Sequence, residues 1–136
     1  MADSLWYYTR TMKKTVLIIE DEADIREAMV DYLSESDYKV LAASDGITGL
    51  QTALAEHPDL ILLDLMLPAM NGQEVLRKLR EDRWGKNAVV IIMSAQDDLS
   101  NIGMAYESGV TEYIMKSNAS LEELSKKVRE TLLANS

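Results

Sequence analysis

A chain of 136 residues with 47% apolar content is long enough for one domain with a packed core, and the absence of cysteine excludes disulfides, thiol nucleophiles and thiolate metal sites. With 23 acidic against 14 basic residues the net charge is −9, which repels phosphate backbones and argues against direct nucleic-acid binding. The longest apolar run, Ala88–Met93, is too short to span a bilayer, and the N-terminus lacks a basic-then-apolar leader, so the chain reads as soluble and cytoplasmic.

Residues 1–14 do not fit the pattern that follows. Leu5, Trp6, Tyr7 and Tyr8 make an apolar-aromatic cluster, read here as part of a flexible N-terminal extension to a domain spanning 15–136. From Thr15 onward strand and helix alternate. Val16–Ile19 is a β-branched run ending in Glu20, Asp21 and Glu22, and Ile25, Ala28, Met29, Tyr32 and Leu33 then recur at helical spacing. Tyr38–Ala42 predicts a second strand. A helix with Ile47, Leu50 and Leu54 on one face ends before Pro58.

The stretch Asp59–Gly72, DLILLDLMLPAMNG, predicts the third strand. Its unbroken apolar run suits a strand covered on both faces of a parallel sheet, and it leads straight into Asp64. Asn71 is placed to cap a helix carrying Val75, Leu76 and Leu79. Ala88–Met93 predicts a fourth strand ending at Ser94, followed by a helix over Asp98–Ser108 that stops at Gly109. Glu112–Met115 predicts a fifth strand leading to Lys116. Ser120 and Glu123 then form a capping box for a helix with Leu121, Leu124, Val128 and Leu132 inward. Five strand–helix alternations predict an α/β fold: a five-stranded parallel sheet, doubly wound, with helices on both faces.

In a parallel sheet every strand ends at the same edge, where open α/β sheets bind ligands. Glu20, Asp21, Asp64, Ser94 and Lys116 all fall at such ends. Carboxylates within a few ångströms repel by about 4 kcal/mol per pair at an effective dielectric of 20. A hard divalent cation relieves this, and Mg²⁺ suits best because it takes one or two carboxylates and completes its sphere with water and phosphate oxygens. An aspartate neutralised in this way beside an amine and a hydroxyl is equipped to accept a phosphoryl group.

The segments VLIIEDEADIR, DLMLPAMNG, IIMSA and YIMKS resemble the response-regulator receiver domain of two-component signalling, from about Thr15 to the C-terminus. The resemblance implies a flavodoxin-like receiver fold with Asp64 as phosphoacceptor. It implies Asp21 and Asp64 as direct Mg²⁺ ligands, Glu20 acting close by or through water, and the backbone carbonyl of Met66 as a further ligand. Ser94 matches the switch hydroxyl, Tyr113 the switch aromatic and Lys116 the family's invariant amine. The implied partners are a sensor histidine kinase or phosphotransfer protein upstream and an effector protein downstream. Signalling would run through the face of the fourth helix, fifth strand and fifth helix of a monomer, with dimerisation on activation left open. The chain ends soon after the last predicted helix, so output is expected through a partner rather than a domain of its own.

Two departures stand out. Most receivers have proline after the lysine, in a cis peptide; here Ser117 follows, and trans is the default for a non-proline residue. Glu20 replaces the commoner aspartate. The alternative function is a pseudo-receiver interaction module working unphosphorylated. An enzyme acting on small phosphoesters is disfavoured because Met66 stands where a general acid would follow the nucleophile, and a flavodoxin-like cofactor binder is disfavoured because this chain has Glu20, Asp21 and Glu22 rather than a Ser/Thr/Gly phosphate loop after the first strand. No turnover enzyme is expected. His57 reads as a solvated surface histidine, Trp84 as a surface packing residue, and Met66, Met70, Met93, Met104 and Met115 as core filler.

Overall fold

The computed structural model describes residues 13–95, 103, 104, 106, 107, 109, 110, 112–116 and 119–135. Strands β1 (Thr15–Ile19), β2 (Lys39–Ala43), β3 (Leu60–Asp64), β4 (Val90–Ser94) and β5 (Glu112–Met115) form one parallel sheet in the order β2-β1-β3-β4-β5. The described helices are α1 (Ala23–Ser34), α2 (Gly46–Glu56), α3 (Gly72–Glu81) and α4 (Leu121–Ala134), with a 3₁₀ turn at Gly85–Asn87. None is long and apolar enough to cross a membrane.

The alternation of side chains along each strand divides the core into two clusters. Leu17, Ile19, Ile61, Leu63, Val90 and Ile92 face α2 and α3, where they meet Ala53, Val75, Leu76 and Leu79. Val16, Ile18, Leu60, Leu62, Ile91 and Met93 face α1 and α4, where they meet Met29, Leu33, Leu124, Val128 and Leu132. Every residue of β3 and β4 is buried, as their unbroken apolar runs require. β2, at the sheet edge, buries only Ala43.

The expected caps form. Asn71 accepts from the Glu74 N–H at 2.9 Å and Ser120 Oγ from the Glu123 N–H at 3.1 Å. Asp45, which the periodicity did not single out, caps α2 by accepting from Thr48 N at 2.7 Å. Gly109 takes φ +78°, the left-handed conformation a helix-ending glycine supplies.

Several expectations shift. The second strand runs one residue later than expected, and the fourth starts at Val90 rather than Ala88 and includes Ser94. Ile47 is 45% exposed, because α2 packs through Gly46, Gly49 and Ala53, where absent or small side chains let it approach the sheet. A Cβ on Gly49 would lie 2.6 Å from Ile19. Leu121, at the first turn of α4, is also exposed, and so are Met66 and Met104. His57 is exposed but not merely solvated: its ring stacks on Trp84 with centroids 4.4 Å apart and planes 9° apart. Residues 1–12 and Ser117 lie outside the described residues, as does much of the helix expected over Asp98–Ser108. Gly103, Met104, Tyr106 and Glu107, which are described, are helical.

Candidate functional site

The order of the sheet reverses after β1, which pairs with β2 on one side and β3 on the other. Such a reversal opens a crevice at the carboxyl ends of the two central strands. Ile19 of β1 pairs with Leu63 of β3, so Glu20 and Asp64 leave the ladder side by side. Ser94 closes β4 and pairs with Met115, and the Lys116 N–H continues the ladder to Ser94 O at 2.9 Å. The register alone therefore gathers Glu20, Asp21, Asp64, Ser94 and Lys116 at one edge.

Burial separates these groups. Glu20, Asp64 and Ser94 are 0%, 2% and 1% exposed, whereas Asp21 turns to solvent. Lys116 Nζ donates to Asp64 Oδ2 at 2.8 Å and forms an ion pair with Glu20 Oε1. The other oxygen of Asp64, Oδ1, accepts from the backbone N–H of Met66 at 3.0 Å. Burial pushes the Glu20 carboxyl up to about 7; Lys116 opposes this shift, and the neighbouring Asp64 carboxylate adds to it. Burial alone would disfavour the Lys116 ammonium, but hydrogen bonds and charge from Asp64 and Glu20 outweigh it and raise its pKa.

One oxygen from each of Glu20, Asp21 and Asp64 lies within 4.8 Å of the others. Glu20 Oε1 is buried, and the charged group it meets is the Lys116 ammonium. Three carboxylates converging in an oxygen-only cluster, two of them buried, fit a hard divalent cation such as Mg²⁺. The lysine supplies a single positive charge against three carboxylates.

The loop after β3 holds Asp64 in place. Leu65 and Leu67 turn into the core and Met66 turns out. Ala69 adopts φ +65°, and Gly72 N–H closes the loop on Leu65 O at 2.9 Å. A Cβ at Gly72 would stand 2.4 Å from Asp64 O, so glycine is required by backbone contact.

Tyr113 is half-buried and packs against the α2/α3 cluster, beside Ile92 in the β4–β5 register. Two residues passed over in the sequence contribute to the frame. Arg26 donates to Glu20 O at 2.9 Å and to Asp21 O at 3.3 Å, holding the acidic turn to α1. Arg80 donates to Gly85 O at 2.7 Å and to Ala88 O and Gly109 O, each at 2.9 Å. It thus ties α3 to both β4 and the approach to β5. Neither has a local signal, since each arginine reads as a solvated helix charge until its carbonyl partners are placed.

Residues 16–129 match the family described as the response regulator receiver domain. The chain is 35% identical over 106 residues to the DNA-binding response regulator MtrA of Mycobacterium tuberculosis, covering 78% of this chain and 45% of that protein. It is 36% identical over 120 residues to the probable transcriptional regulator ycf27 of Porphyridium aerugineum, covering 88% of this chain and 48% of that one. It therefore spans about half the length of these relatives. Among solved structures, the Francisella response regulator 1452 receiver domain superposes with TM-score 0.83 at 27% identity, covering 91% of this chain and all of that one. A CheY-like receiver domain protein from Methanospirillum hungatei JF-1 gives TM-score 0.82 at 29% identity, covering 88% and 94% respectively.

Proposed function

Because the chain belongs to the response regulator receiver family of two-component systems, we propose that it accepts a phosphoryl group on Asp64 from the phosphohistidine of a kinase or phosphotransfer protein. The observation that carries this reading is the 2.8 Å contact of Lys116 Nζ with the buried Asp64 carboxylate, inside the cluster of Glu20 and Asp21. An oxygen of Asp64 attacks phosphorus, the P–N bond to the donor imidazole breaks, and the leaving ring takes a proton from solvent. Lys116 balances charge on the phosphoryl oxygens, and the hydroxyl of Ser94, the last residue of β4, hydrogen-bonds one of them.

Asp21, Asp64 and the Met66 carbonyl would hold Mg²⁺, with Glu20 close by or through water. When bound, the ion supplies positive charge against the phosphoryl oxygens and relieves repulsion among the carboxylates. Ser94 and Tyr113, on adjacent strands, form the switch that reshapes the face of the expected Asp98–Ser108 helix, β5 and α4 for an effector. The domain is 15–136, it acts as a cytoplasmic signalling phosphoacceptor, and it turns over no substrate of its own.

The test is intact mass after incubation with Mg²⁺ and a small-molecule phosphodonor. Gain of one phosphoryl group, lost in Asp64→Ala and without Mg²⁺, is expected. An unchanged mass in a folded protein would overturn the reading and leave a pseudo-receiver that acts by contact alone.

A further inference from the structure

The side chain of Met66 is left unused by the function proposed above. Its backbone N–H is bound to Asp64 Oδ1 at 3.0 Å, yet the residue is 54% exposed, while Leu65 and Leu67 on either side are 4% and 8% exposed. The loop therefore directs two leucines into the core and one thioether outward, two residues beyond Asp64. It lies in a groove shared with Asn71 and Gln73. The chain has no cysteine, so thioethers are its only sulfur groups open to peroxide chemistry. Met29 and Met93 are 3% and 2% exposed and sealed in the core, whereas Met66 and Met104 are open to solvent.

We propose that Met66 is a redox-modification site: a hydroperoxide oxidises it to the sulfoxide, and the sulfoxide slows phosphoryl acceptance at Asp64. The inference rests on the phosphoacceptor reading and adds a mode of regulation to it. The sulfur attacks the distal peroxide oxygen, the O–O bond breaks, and an S–O bond forms. Sulfur is oxidised by two electrons, and the other oxygen, reduced and protonated, leaves as alcohol or water. The new oxygen carries partial negative charge two residues from the phosphoacceptor, on the residue whose backbone N–H holds Asp64 Oδ1, and so adds to the negative charge an anionic donor meets on approach. It also converts an apolar contact surface into a polar one. Both effects oppose approach of the donor.

The experiment has two readouts on the full chain. Peptide mass after graded hydrogen peroxide should show Met66 and Met104 oxidised well before Met29 and Met93. Phosphorylation with Mg²⁺ and a small-molecule phosphodonor is then timed in a Met104→Leu background, before oxidation, after it, and after treatment with methionine sulfoxide reductase. The rate should fall roughly threefold to tenfold on oxidation, the scale of one added charge–dipole repulsion at a half-open site, and recover on reduction. In Met66→Leu the ratio of oxidised to unoxidised rates should return to one, whatever its basal rate. Equal rates before and after oxidation, or Met66 resisting peroxide as the core methionines do, overturn the inference and leave the phosphoacceptor reading intact. Absence of phosphorylation in the unoxidised protein overturns both.

Discussion

The two faces of the sheet carry similar apolar side chains but close in different ways. On the side of α2 and α3, glycines let neighbouring segments approach backbone to backbone: a Cβ on Gly46 would lie 2.1 Å from Met70 O, one on Gly72 2.4 Å from Asp64 O, and one on Gly85 2.2 Å from Leu79 O. Against α1 and α4, side chains meet side chains and leave a cleft of about 340 Å³ lined by Ile25, Ala28, Met29, Met93, Ile114 and Leu124. That cleft also reaches Lys116. The loop after Asp64 is thus fixed by contacts that admit no added atom, while the amine facing it borders free volume. The site is built from one rigid wall and one adjustable wall.

Breaking the rigid wall should have the largest effect. Gly72→Ala forces a methyl into Asp64 O and Leu65 Cα, and is expected to destabilise by about 3 kcal/mol in urea unfolding while lowering phosphorylation of whatever remains folded. Arg80→Met keeps the volume but removes the donors to three carbonyls, leaving acceptors without their partner. A loss of about 2–3 kcal/mol is expected, with faster hydrogen exchange at residues 109–116.

A third prediction concerns the group between the walls. The folded-state pKa of Glu20, about 7, lies above its ordinary value of 4.5, so the native state holds a proton that the unfolded state releases. Stability from this group is fully present below pH 4.5 and is lost as pH rises through 7. In metal-free protein the decline should be on the order of 2 kcal/mol, should vanish in Glu20→Gln, and should shrink when Mg²⁺ is added at pH 7.5. A flat profile in the parent protein would remove the basis for placing Glu20 in a desolvated cluster.

The smallest effect belongs to the adjustable wall. Ala28→Leu adds volume to the cleft on a helix that tolerates leucine, and should change stability by less than ~1 kcal/mol, toward greater stability. If it destabilised as much as Gly72→Ala, the distinction between the faces would fail.

Much of this architecture is local and could be read directly. Unbroken apolar runs and period-3.6 patterns, with the Asn71 and Ser120 caps and Gly109, predict strands and helices in the right order, since these signals act over a few residues. Parallel strands ending at one edge then bring Glu20, Asp21, Asp64, Ser94 and Lys116 together, because β3 and β4 can be covered on both faces only by crossover helices. Ile47 and Leu121 show where periodicity stops. Each lies on an apolar stripe, but which part of a stripe is covered depends on the neighbouring element and its distance.

What tertiary structure alone decided is of another kind. Glu20 and Asp21 are adjacent acids of similar chemistry, yet one is sealed and protonates near neutrality while the other faces water. That difference comes first from the burial of Glu20 and then from the Asp64 carboxylate beside it, with Lys116 opposing the shift. Arg80 likewise becomes a clamp only when carbonyls as distant in sequence as Gly109 converge on it. Residue types and spacing determine which groups can meet at a sheet edge. Desolvation, charge pairing and backbone contact depend on distances between segments far apart in the chain, and only the folded arrangement sets those.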